Sequence, residues 1–173
     1  MSKKHISLIG VNHKSTPLEV REKVALTNGY EETLNRLREE EAHEYYVLST
    51  CNRVELIWVS EDTAESTPRM LRFLFGDAVA SADWDGYSYI YHDQEAVAHL
   101  FKVSASLDSM VVGEAQILGQ IKEAYRYASQ YGCTGPLLNK LLHKSFSVAK
   151  RVRSETGIGS AAVSISSAAV ELA

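Results

Sequence analysis

Cysteine is almost missing from this chain: there are two in 173 residues, Cys51 and Cys133, far apart and in unlike surroundings. That excludes a CxxC redox pair or a cysteine metal cluster, and a chain of this length can bury a core without such staples. Long apolar runs are also absent, none approaching the roughly 20 residues of a membrane span. Met1-Ser2-Lys3-Lys4 leads straight into an alternating run, with neither the apolar stretch nor the small-residue cleavage site of a secretory signal, so a soluble, cytoplasmic protein is expected. No basic excess exists: 18 Lys and Arg stand against 22 Asp and Glu, a formal charge of −4, which argues against a generally basic nucleic-acid binder but leaves room for a local patch. There is no GxGxxG, no P-loop and no HExxH, so neither a nucleotide nor a metal site follows from motifs.

The rest of the composition, 45% hydrophobic and 23% charged, is that of an ordinary globular protein. Residues 5–11 combine alternation with β-branched side chains and read as a first strand. Thr16-Pro17-Leu18-Glu19 places a hydroxyl, a proline and a glutamate as a capping box does, predicting a helix that ends near Asn28-Gly29. From Tyr30 to Glu44 a narrow stripe of Leu34 and Leu37 among glutamates predicts a surface helix. Tyr45–Ser49 and Val54–Val59 are strand-like and separated only by Thr50-Cys51-Asn52-Arg53, which predicts a hairpin with Cys51 near its tip. Asp62 with Glu65 caps a further helix through Met70 and Phe75 that Gly76 closes, and Tyr87–Tyr91 reads as a last strand.

This order predicts an α+β fold: a ferredoxin-like split βαβ unit over residues 1–92, four antiparallel strands backed by helices on one face. Helical spacing then takes over for 93–157, through Ala96, Leu100 and Phe101, through Ile117, Ile121 and Ala124, and along a helix from about Pro136 to Glu155. Residues 158–173 form a small, serine- and alanine-rich tail.

Four features could carry chemistry. Cys51 lies on a tight connection beside Arg53, whose guanidinium could favour the thiolate or clamp a carboxylate; the alternative is a small buried hydrophobe, the reading kept for Cys133. His99 sits among core positions of a helix, either as a structural histidine or as the partner of a cysteine nucleophile, in competition with His5, His13, His43, His92 and His143. The run from Leu107 to Gln120 gathers Ser109, Glu114, Gln116 and Gln120 around two glycines; Gln116 and Gln120 share a helical face that could line a polar pocket or simply face solvent. Finally, Lys140, Lys144, Lys150, Arg151 and Arg153 form an acid-free stretch that could meet phosphate or be a solvated face.

Taken together, Gly10-Val11-Asn12-His13-Lys14-Ser15-Thr16-Pro17-Leu18-Glu19-Val20-Arg21-Glu22, the block from Leu48 to Leu56, the stretch from His99 to Gln120 and Ser147–Arg153 resemble the glutamyl-tRNA reductase family across essentially the whole chain. The resemblance implies an enzyme that reduces glutamyl-tRNA with NADPH to glutamate-1-semialdehyde, opening tetrapyrrole biosynthesis. It implies Cys51 as the nucleophile that forms a glutamyl thioester and His99 as a residue needed for activity. Thr50, Asn52, Arg53, Ser109, Glu114, Ala115, Gln116 and Gln120 match its glutamate-binding positions, with Arg53 preferred as partner of the glutamate carboxylate. The family usually has proline at Ala115 and glycine at Ser106. It also implies NADPH held by a later domain, toward which 158–173 begin the connection, so no cofactor or metal is expected on this chain. A homodimer of the full-length protein and transfer of the aldehyde to glutamate-1-semialdehyde aminomutase follow from the same resemblance. Two rivals are a non-catalytic RNA-binding ferredoxin-like module, which needs aromatics on an open sheet face, and a cysteine hydrolase of small esters.

Overall fold

The computed structural model describes residues 2–40 and 42–160, so the expected tail beyond residue 160 lies outside the described residues. Strand β1 (His5–Asn12) leads to helices α1 (Leu18–Val24) and α2 (Gly29–Leu37), then to the hairpin of β2 (Glu44–Ser49) and β3 (Arg53–Ser60). Helix α3 (Thr63–Phe75), the short α4 (Trp84–Tyr87) and β4 (Tyr89–His92) follow, and after them come α5 (Asp93–Ser104), α6 (Gln116–Gln130) and α7 (Pro136–Glu155). The sheet order is β2-β3-β1-β4, every pairing antiparallel, which is the expected ferredoxin-like arrangement.

Both sheet faces are covered. Period-two alternation sends Ile9, Val11, Val54, Leu56 and Trp58 toward α1 and α3, where the Trp58 indole donates to Ser66 Oγ at 3.0 Å. It sends Leu8, Gly10, Tyr46, Glu55, Ile57, Tyr89 and Tyr91 toward α5, α6 and α7, where the Tyr46 hydroxyl donates to the Ile121 carbonyl at 3.2 Å. Helices on one face therefore describe only the first half of the chain; the later helices form a second layer. Tyr46 and Trp58 are fully buried, so the open aromatic sheet face that an RNA platform needs is not found among the described residues.

Local signals whose partners are close in sequence hold. Asp62 caps α3, its carboxylate accepting Ala64 N–H at 2.8 Å and Glu65 N–H at 3.1 Å, and Gly76 closes that helix at φ +50°. Helix α7 has the predicted bounds, with Pro136 at its first position.

Three expectations fail. Thr16 caps nothing: Pro17 is the N-cap, and the Thr16 hydroxyl instead donates to the Tyr87 carbonyl at 2.7 Å, tying the loop after β1 to the approach to β4. The first helix ends at Val24, and the second stops at Leu37 instead of running to Glu44. Glu44 opens β2, buried, with its carboxylate accepting the N–H groups of Gly135, Leu137 and Leu138 at 2.9, 3.1 and 2.7 Å. The free N–H groups of the α7 terminus compensate the cost of burying that charge.

Candidate active site

The β2–β3 connection is built by its own side chains. Thr50 Oγ1 accepts the N–H groups of Asn52 and Arg53, each at 3.2 Å, while Thr50 N–H donates to the Arg53 carbonyl at 2.8 Å. This folds Thr50-Cys51-Asn52-Arg53 into a tight turn that leaves Cys51 exposed. The turn is tied down from two sides: His13 N–H donates to the Asn52 carbonyl at 2.9 Å, and Arg21 Nη1 of α1 donates to the Cys51 carbonyl at 2.5 Å. The Cys51 thiol is thus exposed on a backbone held at its own carbonyl and at that of Asn52. Cys133, by contrast, is 2% exposed and burial pushes its thiol up.

Behind the turn lies a buried charge cluster. Arg53 is 2% exposed; its Nη1 donates to Glu55 Oε1 at 2.9 Å, and its Nη2 donates to the Asp108 carbonyl and to Asp108 Oδ2 at 3.1 Å. Asp108 also accepts from Lys14 Nζ at 2.6 Å. Glu55, with no exposure, offers the same Oε1 to the Tyr89 hydroxyl and to His99 Nε2, both at 2.6 Å. Burial alone would raise the Glu55 pKa; the bonds and charges of His99 and Arg53, with the Tyr89 hydroxyl, outweigh it and hold the carboxyl below its ordinary range. Asp108 is lowered in the same way, Lys14 and Arg53 overcoming burial. Burial and the Glu55 charge push the Tyr89 phenol well up, so it stays a donor. His13, beside the turn, is shifted down by burial and then by Arg53, Lys14 and Arg21.

The expected site residues distribute as follows. Thr50, Cys51, Asn52 and Arg53 form the turn, and His99 of α5 reaches the same cluster through Glu55. Ser109 follows Asp108 on the irregular segment between α5 and α6. The Glu114 carbonyl accepts from Ser106 Oγ and from Arg153 Nη1, at 3.4 Å for the latter, Ala115 is the N-cap of α6, Gln116 opens that helix and Gln120 lies one turn on. Ser106 takes a positive φ of 61°, a conformation that glycine holds without strain. Of the basic stretch, Lys140, Lys144 and Lys150 face solvent, Arg151 pairs with Glu155, and Arg153 is drawn into the carbonyls of Gly113 and Glu114.

Sequence reasoning missed Glu55, Tyr89, Asp108, Arg21 and Gly10. One signal was present: Glu55 is a charged residue at a period-two position shared with Ile57 and Val59, facing Gly10 across the ladder. A side chain at Gly10 would lie 2.6 Å from Tyr89 Oη and 2.8 Å from Glu55 Cγ, so glycine there makes room for the cluster.

Comparison with known proteins places this geometry. The family model described as glutamyl-tRNAGlu reductase, N-terminal domain, matches residues 9–156. The chain belongs to that family. Glutamyl-tRNA reductase of Desulfotalea psychrophila is 61% identical over 100% of the chain and 41% of its own length, and that of Pelobacter propionicus is 50% identical over 98% and 39%. The structure of glutamyl-tRNA reductase from Methanopyrus kandleri superposes with a TM-score of 0.80 at 32% identity, over 96% of this chain and 39% of that one. The chain thus spans about two fifths of the relatives it matches, the part that is the reductase's N-terminal domain. No described helix is long and apolar enough to cross a membrane.

Proposed function

We propose that this chain performs the acyl-transfer half of glutamyl-tRNA reduction, on the way to glutamate-1-semialdehyde and tetrapyrroles. The observation that carries the reading is the exposed Cys51 on a turn locked by Thr50, His13 and Arg21, backed by the Arg53–Glu55–His99 cluster. The Cys51 sulfur attacks the ester carbonyl that joins glutamate to the tRNA's terminal ribose; the carbon–sulfur bond forms, the carbon–oxygen bond breaks, and the ribose oxygen leaves with the proton that the thiol gives up. Fixing the nucleophile's backbone in advance reduces the entropy cost of reaching attack geometry.

Glutamate recognition falls to Thr50, Asn52, Arg53, Ser109, Glu114, Ala115, Gln116 and Gln120. The Arg53 fork remains the preferred carboxylate partner; in that role the substrate carboxylate takes the place of Asp108 Oδ2 on Nη2, while Glu55 keeps Nη1. NADPH supplies the hydride in the reductase reaction. The glycine-rich strand–turn–helix that cradles a dinucleotide is not among the described residues, so the steps assigned to this chain end at the thioester. A homodimer of the full-length enzyme and an aminomutase that accepts its reactive aldehyde belong to the same proposal, through the family resemblance alone. No observation favours a hydrolase of small esters.

The test is to mix the chain with glutamyl-tRNA without NADPH and seek, by rapid-quench mass spectrometry, a glutamyl adduct on the Cys51 peptide, with Cys51→Ser as blank. An adduct that forms only with Cys51 supports the reading. Intact tRNA binding without an adduct, or equal glutamate release by wild type and Cys51→Ser, overturns it.

A further inference from the structure

Three donors converge on one oxygen of a fully buried carboxylate, and this restricts what the histidine among them can do. Arg53 Nη1 and the Tyr89 hydroxyl both donate to Glu55 Oε1, leaving that atom an acceptor toward its third neighbour, His99 Nε2, at 2.6 Å. An unprotonated Nε2 at that distance would set lone pair against lone pair, so Nε2 carries its hydrogen whether the imidazole is neutral or cationic. Ring rotation is opposed by packing: the His99 ring lies 5.1 Å from the Tyr89 ring and 5.0 Å from that of Tyr91, and the side chain is 11% exposed. Exchanging the two nitrogens would also strip Glu55 Oε1 of a donor while Oε2, buried and without a hydrogen-bond partner among the described residues, already lacks one.

We propose that Glu55 is a positioning residue that locks His99 with Nε2–H turned inward, making Nδ1 the nitrogen that exchanges a proton with the reacting groups. This rests on the acyl-transfer reading for its chemical consequence, although the ring assignment stands by itself. In the balanced step Nδ1 takes the thiol proton of Cys51 as the carbon–sulfur bond forms, and returns it to the ribose oxygen as the carbon–oxygen bond breaks. Among the described residues, the ring meets Glu55 from β3 and Tyr89 and Tyr91 from β4; Arg53 is joined to it through Glu55, with Asp108 and Lys14 beyond Arg53. The low pKa of the Glu55 carboxyl keeps it an acceptor through the neutral range.

The experiment has two arms. Long-range proton–nitrogen correlation spectra of the histidine-labelled chain, with the His99 signals assigned by their loss in His99→Asn, read the tautomer with no substrate present. The expected result is a neutral ring protonated at Nε2 and bare at Nδ1; a protonated Nδ1 in the neutral ring, or an even mixture, overturns the proposal. The second arm measures single-turnover glutamyl transfer to Cys51 in wild type and Glu55→Gln, both checked for tRNA affinity. A slowing of about tenfold or more at unchanged affinity is expected, and a rate within about twofold of wild type overturns the role. If wild type itself forms no adduct, the acyl-transfer reading fails while the spectra still decide the ring.

Discussion

Glu44 and Gly135 stand 91 residues apart, yet the carboxylate of the first accepts the backbone N–H of the second at 2.9 Å, and the same carboxylate takes the N–H groups of Leu137 and Leu138. This one side chain terminates α7 and fixes its start against the edge strand. Glu44→Ala is expected to cost about 2–3 kcal/mol, the range for losing charge-assisted hydrogen bonds at a buried site, and Glu44→Gln less, since one acceptor oxygen remains. Urea denaturation of the three proteins checks this; equal midpoints would refute it.

Gly10 is the second point of leverage. With Tyr89 Oη 2.6 Å and Glu55 Cγ 2.8 Å from the position of an added Cβ, Gly10→Ala forces the phenol or the carboxylate to move. The expected loss is about 1–3 kcal/mol, typical of overpacking, together with slower glutamyl transfer, while Gly86→Ala, where open space surrounds the position, leaves transfer unaffected. Parallel denaturation and transfer assays distinguish the two.

Acid should weaken the fold through the cluster. Glu55 and Asp108 both have folded pKa values below their ordinary 4.5 and 3.8, so the unfolded chain binds their protons first. Their stabilisation is complete above those ordinary values and is lost as pH falls through the lower folded ones. His13 acts in the same direction higher up: its folded pKa lies below 6.5, so the unfolded chain takes up that proton first and stability declines as pH drops below 6.5. Stability measured from pH 7 to pH 3 should fall at both stages, and Asp108→Asn should flatten the lower one. An unchanged acid slope in Asp108→Asn would contradict the assignment.

The two cysteines should differ in reactivity. Iodoacetamide at neutral pH is expected to modify Cys51, exposed on its turn, well before Cys133, which is buried with its thiol shifted up. Peptide mapping of a time course gives the order; faster modification of Cys133 in the folded protein would be incompatible with this packing.

These cases also mark what was readable from the sequence. The Asp62 cap, the Gly76 stop, the bounds of α7 and the Cys51 hairpin depend on groups within a few residues, and pattern alone sufficed. Thr16, Glu44 and Glu55 were misread or overlooked because their partners lie far along the chain: Tyr87 is 71 residues from Thr16, and Tyr89 and His99 are 34 and 44 residues from Glu55. In each case a polar group that local rules assign to a cap or to solvent satisfies a distant donor or acceptor. The family resemblance reached Cys51, Arg53 and His99 but not the carboxylate that joins two of them.

One oxygen atom shared by three donors has an evolutionary consequence. A single replacement at position 10, 53, 55, 89 or 99 leaves a donor without its acceptor, an acceptor without its donor, or a side chain in occupied space. Their mutational effects will not sum. A change at Glu55 alters what its partners need, so these five positions should change together in a lineage, while the solvent-facing lysines of α7 vary independently.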